Sequence, residues 1–304
     1  MSEHGKQVPK VLVLGATGQL GRALIAAEAR DLAVIPVARS DLDLTDFTTI
    51  RRLIDTDRPD LIINAAAIAR PEYAEDEQDL ALAVNARAVE TLARAAKDVG
   101  AALLHISTDH VFDGSQTRPY TETDHAAPLN MYGATKLLGE ELAQLACPRT
   151  AILRTSSLHA PWGRNQIVTT FAKAERGAQV RAAADRITSP TSAEIFAETC
   201  MAVAPSMIDS DPYSDIWGVT HVSAHGECSD SALLAQALGS AGFNPDLIAA
   251  QRMIDWPTTA AYPRSTPLDC TRMVRVFGIQ PRPWQEHLER TLAALRPVET
   301  PEAA

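Results

Sequence analysis

The stretch KVLVLGATGQLGRAL, residues 10–24, decides how the rest of this chain is interpreted. It begins as an apolar run typical of a buried strand and continues into an Ala- and Leu-rich pattern, 19–30, typical of a helix. Gly15, Gly18 and Gly21 lie at the junction, where glycine permits unusual backbone angles and lets a phosphate approach the bare backbone. The free N–H groups at the start of a helix also attract phosphates. The stretch therefore predicts a dinucleotide-binding turn rather than an ordinary tight turn.

Short apolar runs alternate with helical patterns over the first half of the chain. Apolar strands separated by helices indicate a parallel sheet covered on both faces, and right-handed crossovers make such a sheet doubly wound, as in the Rossmann fold. We predict an α/β chain with a dinucleotide-binding Rossmann domain over 1–156 and a smaller, mostly substrate-binding C-terminal lobe over 157–304, from which 217–224 returns as a strand to the main sheet. The further strands are predicted at 32–40, 60–67, 102–108 and 150–156, and the helices at 46–59, 76–100, 132–146, 165–177 and 191–203.

The charge and hydropathy of the chain argue against two classes of partner. Its formal net charge is -10 and it has no long Lys/Arg run, whereas nucleic-acid-binding and membrane-surface proteins depend on basic patches. It also has no apolar run long enough to cross a bilayer. We therefore expect a cytoplasmic protein without nucleic-acid or membrane partners. No cluster of His, Cys and Asp in the sequence has the spacing of a metal site, so no metal is predicted.

The end of the second predicted strand bears on the choice of dinucleotide. An acidic residue there usually holds the ribose hydroxyls of NAD, whereas an arginine favours the 2′-phosphate of NADP. The strand ends in VARSDLDL, so Arg39 comes first and Asp41 and Asp43 follow. We predict NADPH as the cofactor, with NADH as the alternative, because the first residue to leave the strand is basic.

Tyr132 and Lys136 stand four residues apart and would share one face of the helix predicted over 132–146. A neighbouring ammonium lowers the pKa of a tyrosine from its ordinary value of about 10, which suits the tyrosine to give a proton to the alkoxide formed from a ketone. Ser107, Thr108 and Asp109 end the fourth strand and offer a hydroxyl to that carbonyl. A YxxxK pair is common by chance, but its position behind a dinucleotide turn favours a catalytic role.

Four segments run along the chain in the order GATGQLGRAL, HISTDHVFDG, PLNMYGATKLLGEE and DRITSPTSAEIFAE. Together they resemble the extended short-chain dehydrogenase/reductase superfamily, and within it the dTDP-4-dehydrorhamnose reductase family. The resemblance implies reduction of the C4 ketone of a nucleotide-linked 6-deoxyhexose, so the expected small-molecule partner is a nucleotide sugar. A homodimer is kept open as the assembly.

The resemblance also implies roles for individual residues. Tyr132 would be the proton donor, and Lys136 would be its partner and a contact of the nicotinamide ribose. Thr108 would hold the carbonyl, with Asp109 beside it. The residues placed at the cofactor by this resemblance are Gly15, Thr17, Gly18, Gln19, Leu20, Asp43, Leu44, Ala65, Ala66 and Ala67.

Three positions on the predicted substrate side depart from the family pattern. His110 replaces a tyrosine, Ser157 replaces a tryptophan and Tyr262 replaces an arginine, although Arg264 follows two residues later and is predicted to contact substrate. Trp162 is a candidate for the lost stacking surface. These departures leave two alternatives open: a reductase or epimerase acting on a different nucleotide sugar or a non-sugar ketone, and a non-catalytic NADP-binding regulatory subunit.

Overall fold

The computed structural model describes residues 8–27, 31–256 and 258–295. Its strands are β1 (Lys10–Leu14), β2 (Ala33–Val37), β3 (Leu61–Asn64), β4 (Ala102–Thr108), β5 (Thr150–Thr155), β6 (Leu158–His159), β7 (Val180–Ala183), β8 (Ile187–Thr188), β9 (Thr191–Ser192), β10 (Gly218–His221), β11 (Cys228–Ser229) and β12 (Ile248–Gln251). Its helices are α1 (Gln19–Ala26), α2 (Phe47–Asp57), α3 (Pro71–Asp76), α4 (Gln78–Leu82), α5 (Ala88–Val99), α6 (Met131–Ala146), α7 (Gln166–Ala174), α8 (Ala193–Asp209), α9 (Asp230–Ser240), α10 (Thr271–Phe277) and α11 (Trp284–Leu295).

Within the described residues, one large parallel sheet has the strand order β2-β1-β3-β4-β5-β10. Helices α1 and α8 pack on one face of the sheet, and α2, α5 and α6 pack on the other. The predicted α/β fold with a doubly wound parallel sheet is therefore confirmed. The order of the strands reverses between β1 and β3, and ligands of such sheets bind at this point, beyond the carboxyl ends of the strands.

The helix predicted over 76–100 is interrupted by a π-helical segment, Ala83–Arg87. Asn85 in this segment accepts a hydrogen bond from the N–H of Ile68 at 2.9 Å and donates to Thr135 Oγ1 at 3.1 Å. Helix α6 lies so close that a Cβ on its Gly139 would overlap the carbonyl oxygen of Asn85. A helical pattern in sequence cannot report these contacts, because the partners are far away along the chain. The segment thereby joins the loop after β3 to helix α6.

Beyond β5, short strand pairs build a lobe, with β6 beside β9, β7 beside β12 and β8 beside β11. Apolar side chains of α7, α9 and α11 form its core. Strand β10 instead pairs in parallel with β5, so that Gly218 faces Ala151 and His221 faces Arg154 in the main sheet. Helix α8 and strand β10 therefore belong to the layers of the main sheet, although both follow residue 156.

Two limits of the predicted elements follow from the described ranges. The helix predicted to reach residue 30 ends at Ala26, and residues 28–30 lie outside the described part of the chain. In the ranges that the structure covers, no helix has both the length and the apolar character that a membrane span requires. In the same ranges, no group of three or more His, Cys, Asp or Glu residues is arranged to hold a metal ion.

Candidate active site

The glycine turn between β1 and α1 is closed by contacts that admit no larger side chain. Gly15 has a φ of +79° and accepts a hydrogen bond from the N–H of Gly18 at 2.9 Å. A Cβ on Gly21 would overlap the carbonyl oxygen of Gly15, so glycine lets the helix pack directly on the turn. Among the described residues, no side chain caps the start of α1, where Gly18 and Gln19 line a cleft. The unpaired N–H groups of this helix start can therefore meet an anion.

A pocket of about 580 Å³ lies beside this turn at the ends of β1 and β2. Asp43 on its wall accepts hydrogen bonds from the N–H and Oγ1 of Thr45 at 2.9 and 2.8 Å, and these bonds lower the pKa of Asp43. Thr17 is exposed on the turn and lies outside the lining of this pocket. The predicted cofactor residues that do line it are Gly15, Arg39, Asp43, Leu44, Ala66 and Ala67.

A second cleft, of about 1080 Å³, continues from the turn past the ends of β4 and β5. It gathers predicted residues from several elements: Gly18, Gln19, Leu20, Ala65, Ala67, Thr108, Asp109, His110, Tyr132, Lys136 and Ser157. Arg264 is not among them, because its side chain is 70% exposed and pairs with Asp185 at 3.2 Å. Trp162 also points elsewhere: its indole N–H donates to the carbonyl of Gln19 at 3.0 Å. The structure thus brings together the predicted redox residues but not these two predicted substrate contacts.

Tyr132 lines the second cleft near the start of α6. Gly133 allows this approach, because a Cβ there would overlap the carbonyl oxygen of His110. Burial raises the pKa of Tyr132 to about 12; the Thr108 hydroxyl lowers it in part and the Asp109 carboxylate raises it further. The predicted lowering of this pKa by Lys136 is therefore not what the structure has. The phenol stays protonated at neutral pH, which is the form that can donate a proton.

Lys136 is 2% exposed and its amine is held on the sheet side of α6. Nζ donates to the carbonyl oxygen of Ile106 at 2.5 Å and lies 2.9 Å from His105 Nε2. Burial lowers the pKa of Lys136 to about 7, against an opposing effect of the Glu140 carboxylate. These contacts explain the missing effect on Tyr132, since the amine is directed into the β4 backbone.

The next turn of α6 carries a buried ion pair. Glu140 accepts a hydrogen bond from Arg154 Nη2 on β5 at 2.6 Å, and the two side chains are 1% and 6% exposed. The hydroxyl of Ser107 also donates to Glu140 Oε1. The pair therefore joins α6, β4 and β5 directly below the cleft.

Asp109 accepts hydrogen bonds from three hydroxyl groups. Ser156 Oγ and Thr266 Oγ1 donate to its Oδ2 at 2.8 and 2.6 Å, and Thr108 Oγ1 donates to its Oδ1 at 3.2 Å. Asp109 is also 2% exposed. Its carboxylate therefore orients Thr108 and ties the loops together, and the Thr108 hydroxyl must turn before it can donate to a ligand.

His110 is held in one tautomer. Asn130 Oδ1 accepts from the N–H of Gly133 at 2.8 Å, and Nδ2 donates to the carbonyl of Ala261 at 2.7 Å. The amide nitrogen therefore faces His110 Nδ1, 3.2 Å away, and this ring nitrogen must accept. Burial lowers the pKa of His110 to about 4, so the ring is neutral with its proton on Nε2.

Ser157 joins β5 to β6 with a φ of 44°, in the left-handed region that few non-glycine residues occupy. It lies on the wall of the second cleft and of a neighbouring cavity of about 870 Å³. Such a conformation costs about 1–3 kcal/mol and persists only where surrounding contacts hold it. The strained residue therefore lies on the wall that these two cavities share.

Three residues of this neighbouring cavity escaped prediction or were assigned no contact. Arg186 is 8% exposed, pairs with Asp230 at 3.0 Å and lies 5.4 Å from the ring centre of Tyr262. The hydroxyl of Tyr262 donates to Glu72 Oε1 at 2.7 Å. Arg186 stands inside the quoted segment DRITSPTSAEIFAE, which was the available signal. Glu72 belongs to an acidic run, and only the fold shows its contact with a residue 190 positions away.

Five histidines in the described ranges are buried, so we expect the stability of the fold to decrease strongly in acid. Burial lowers the pKa values to about 4 for His110 and His287 and about 3 for His159 and His221, and it also lowers that of His105. At pH values below about 6.5 the unfolded chain therefore binds more protons than the folded chain. As the pH is lowered, the free energy of unfolding then decreases by about 1.4 kcal/mol per pH unit for each buried histidine. Thermal unfolding from pH 7.5 to pH 5 measures this slope.

A matched pair of variants tests the assignment of this slope to burial. His287→Gln should make the fall in melting temperature shallower, because one buried neutral ring is removed. His125→Gln should leave it unchanged, because His125 is exposed. A melting temperature of the parent protein that does not change between pH 7.5 and pH 5 would contradict the prediction.

Comparison with known proteins places these features in a family. The family model described as the RmlD substrate binding domain matches residues 9–296. The dTDP-4-dehydrorhamnose reductase of Sinorhizobium fredii is 33% identical over 293 residues, or 94% of this chain and 97% of that protein. The crystal structure of a dTDP-4-dehydrorhamnose reductase from Clostridium acetobutylicum has a TM-score of 0.87 at 29% identity and covers 94% of this chain and 99% of that one.

A further solved structure, the Bacillus anthracis dTDP-4-dehydrorhamnose reductase in complex with NADP, has a TM-score of 0.85 at 30% identity. It covers 94% of this chain and 99% of that chain. The resemblance drawn from the sequence segments is thus confirmed over nearly the whole length. The chain belongs to the dTDP-4-dehydrorhamnose reductase family.

Proposed function

We propose that this chain is an NADPH-dependent oxidoreductase that reduces the C4 ketone of a nucleotide-linked 6-deoxy-4-keto sugar, with dTDP-4-dehydrorhamnose as the first candidate substrate. The observation that carries the proposal is that Thr108, Tyr132 and Lys136 line the same cleft as the glycine turn. The relatives are named dTDP-4-dehydrorhamnose reductases, which supports the proposed reaction, and the NADP complex of the Bacillus anthracis protein supports the cofactor.

The glycine turn fits a dinucleotide. Gln19 and Leu20 in the first turn of α1 offer backbone N–H groups to a pyrophosphate, and the packing of Gly21 on Gly15 holds this helix start beside the cleft. The pocket with Asp43 and Arg39 would take the adenosine half. When bound, the nicotinamide ring supplies the hydride.

The residues of the cleft supply the proton and the orientation. Thr108 turns from Asp109 and donates a hydrogen bond to the carbonyl oxygen, which holds the ketone in place. Tyr132 gives its phenolic proton to the same oxygen as negative charge develops there. The raised pKa of Tyr132 keeps that proton in place until the alkoxide, a much stronger base, forms. The phenolate regains a proton from water after turnover.

A groove of about 840 Å³ beyond the catalytic cleft supports a charged nucleotide as part of the substrate. It shares Arg70 and Arg164 with the cavity beside Ser157, and Lys173 and Arg181 extend the row of cations. Within the described part of the chain, none of these four side chains forms an ion pair. On a protein of net charge -10, a groove with four unpaired cations favours a diphosphate.

Cofactor preference depends on Arg39, which is exposed at the end of β2. Arg39→Ser is expected to raise the KM for NADPH by about tenfold while leaving that for NADH unchanged, because a hydrogen bond to a charged group contributes about 1.5–3 kcal/mol and an exposed site gives the lower end. Steady-state kinetics with both cofactors measure the ratio. Arg51→Ser, on the exposed face of α2, is the matched control, and an equal change in both KM values would contradict the prediction.

A substrate panel tests the proposed reaction. NADPH oxidation would be followed with dTDP-4-dehydrorhamnose, its UDP analogue and a simple ketone without a nucleotide. Rapid turnover of the dTDP sugar supports the proposal. Turnover confined to another nucleotide sugar or to the simple ketone favours the alternative, a reductase with a different substrate. The Tyr262–Glu72 contact and the unusual backbone of Ser157 are the observations that motivate this alternative. NADPH binding without turnover of any ketone favours the regulatory alternative.

A further inference from the structure

His105 lies on β4 with no exposed surface and joins Lys136 to the neighbouring strand. Its Nε2 is 2.9 Å from Lys136 Nζ, and its Nδ1 is 3.1 Å from the amide nitrogen of Asn64 on β3. The mechanism above gives His105 no task. The side chains of Asn64, His105 and Lys136 therefore form a buried row that runs from β3 to the second cleft.

The direction of each hydrogen bond in this row follows from its far end. Asn64 Oδ1 accepts from the N–H of Ala66 at 3.2 Å, so the amide nitrogen of Asn64 must face His105. That nitrogen can only donate, and His105 Nδ1 must therefore accept. A neutral ring with an accepting Nδ1 carries its proton on Nε2. His105 thus donates toward Lys136, which must offer a lone pair.

We infer that Asn64 and His105 are positioning residues that hold Lys136 as a neutral, accepting amine, and that Lys136 becomes an ammonium only when the His105 ring changes tautomer. In the neutral state Nζ accepts from His105 Nε2–H and donates to the carbonyl of Ile106, so no two donors in the row face each other. Burial of Lys136 acts in the same direction, because desolvation disfavours the charged amine.

Protonation of Lys136 requires a linked rearrangement. An ammonium has no lone pair, so His105 Nε2 must lose its proton to become an acceptor while Nδ1 gains one. The Nδ1–H then needs an acceptor, and Asn64 can provide one only by turning its amide. That turn places the amide nitrogen against the N–H of Ala66, so two donors face each other at a partly buried position. The proton content of Lys136 is thereby coupled to Ala66, which lines the proposed adenosine pocket.

The charged groups near Lys136 must also be considered, because they act on its protonation. Glu140 is the carboxylate that favours the ammonium, but it is shared with Arg154 in a buried pair. The other titratable or charged side chains that line the cleft with Lys136 are Asp109, His110, Tyr132 and Arg186.

Nuclear magnetic resonance of the wild-type protein tests the row directly. The chain has five lysines, so ¹³Cε labels give a sparse spectrum, and Lys136→Met identifies the signal of Lys136. Long-range ¹⁵N spectra of the histidine rings, assigned with His105→Phe, report the tautomer. We expect a proton on His105 Nε2 at pH 8 and a transfer to Nδ1 as Lys136 takes up its proton. A proton on Nδ1 at pH 8 would overturn the inference.

Substitution of Asn64 provides the second test. An aspartate accepts from both Ala66 N–H and His105 Nδ1–H, so Asn64→Asp forces the other tautomer and should raise the proton affinity of Lys136 by roughly tenfold or more. In a His105→Phe background the same substitution should have a smaller effect, due to the added charge alone. Equal shifts in the two backgrounds would overturn the inference.

Activity gives a separate measurement. The inference rests on the proposed function in giving Lys136 a place at the reacting site. The pH at which kcat changes should move with the Lys136 titration in Asn64→Asp. The magnetic resonance readouts need no turnover, so failure of the proposed reaction and failure of this inference are distinguishable. If the variants do not fold, the tautomer of His105 in the wild-type protein decides alone.

Discussion

Tyr132→Phe is expected to lower kcat for reduction of the 4-keto sugar by about 10²- to 10⁴-fold, the usual contribution of a positioned proton donor. The phenyl ring can keep the edge-on contact with His110, whose ring centre is 5.4 Å away, but it carries no proton for the alkoxide. Affinity for NADPH should stay unchanged, because the turn that would hold the pyrophosphate lies between β1 and α1, away from Tyr132. Loss of NADPH absorbance measures the rate, and cofactor fluorescence measures the affinity.

Tyr120→Phe is the matched control for the loss of a phenol. The Tyr120 hydroxyl donates to Asp113 Oδ1 at 2.7 Å, outside both clefts. This variant should retain the parental kcat. A loss of less than tenfold in Tyr132→Phe would contradict the proton-donor role, whatever the behaviour of the control.

Glu140→Leu is expected to lower the free energy of unfolding by about 3–5 kcal/mol, because it leaves the guanidinium of Arg154 buried without a counter-charge. That guanidinium also lies over the ring of Phe112, 5.2 Å away, but an aromatic ring cannot replace a carboxylate. Urea denaturation followed by circular dichroism measures the change. Lys136 should also lose the nearby charge that favours its ammonium form.

Two comparisons separate burial from ion pairing in general. The double variant Glu140→Leu/Arg154→Met should recover much of the lost stability, because replacing both partners of a buried pair by apolar side chains is often neutral or stabilising. Glu90→Gln breaks a pair of the same 2.6 Å length whose side chains are 29% and 55% exposed, and it should cost less than about 1 kcal/mol. Similar losses at Glu140 and Glu90 would contradict the argument.

Local patterns predicted the elements whose stability is local. The strand predicted at 102–108 is β4 with the same bounds, and the helix predicted from residue 132 begins one residue earlier at Met131. The helix predicted over 76–100 failed at Ala83–Arg87, because Asn85 bonds to residues that lie elsewhere in the chain. Periodicity reports which face of a segment is apolar, but it carries no information about a hydrogen bond to a distant partner.

The residues around the cleft divide in the same way. The glycine turn and the Tyr132–Lys136 pair could be predicted from the sequence, because spacing along one turn or one helix determines how these residues lie relative to each other. The positions of Arg186 and Arg264 could not be predicted from spacing, because both are arginines of the predicted C-terminal lobe. The packing of β8 against β11 shows that Arg186 faces the cleft, whereas Arg264 faces solvent.

The sequence by itself determined the fold class, the dinucleotide turn and the family, because these depend on short-range spacing and on the order of segments. The tertiary structure decided the proton states. Lys136 was predicted to act as an ammonium that lowers the pKa of Tyr132, whereas burial raises that pKa and His105 and Ile106 engage the amine. The physical reason is that a pKa depends on desolvation and on donors and acceptors brought in from other strands, which no spacing along one helix can specify.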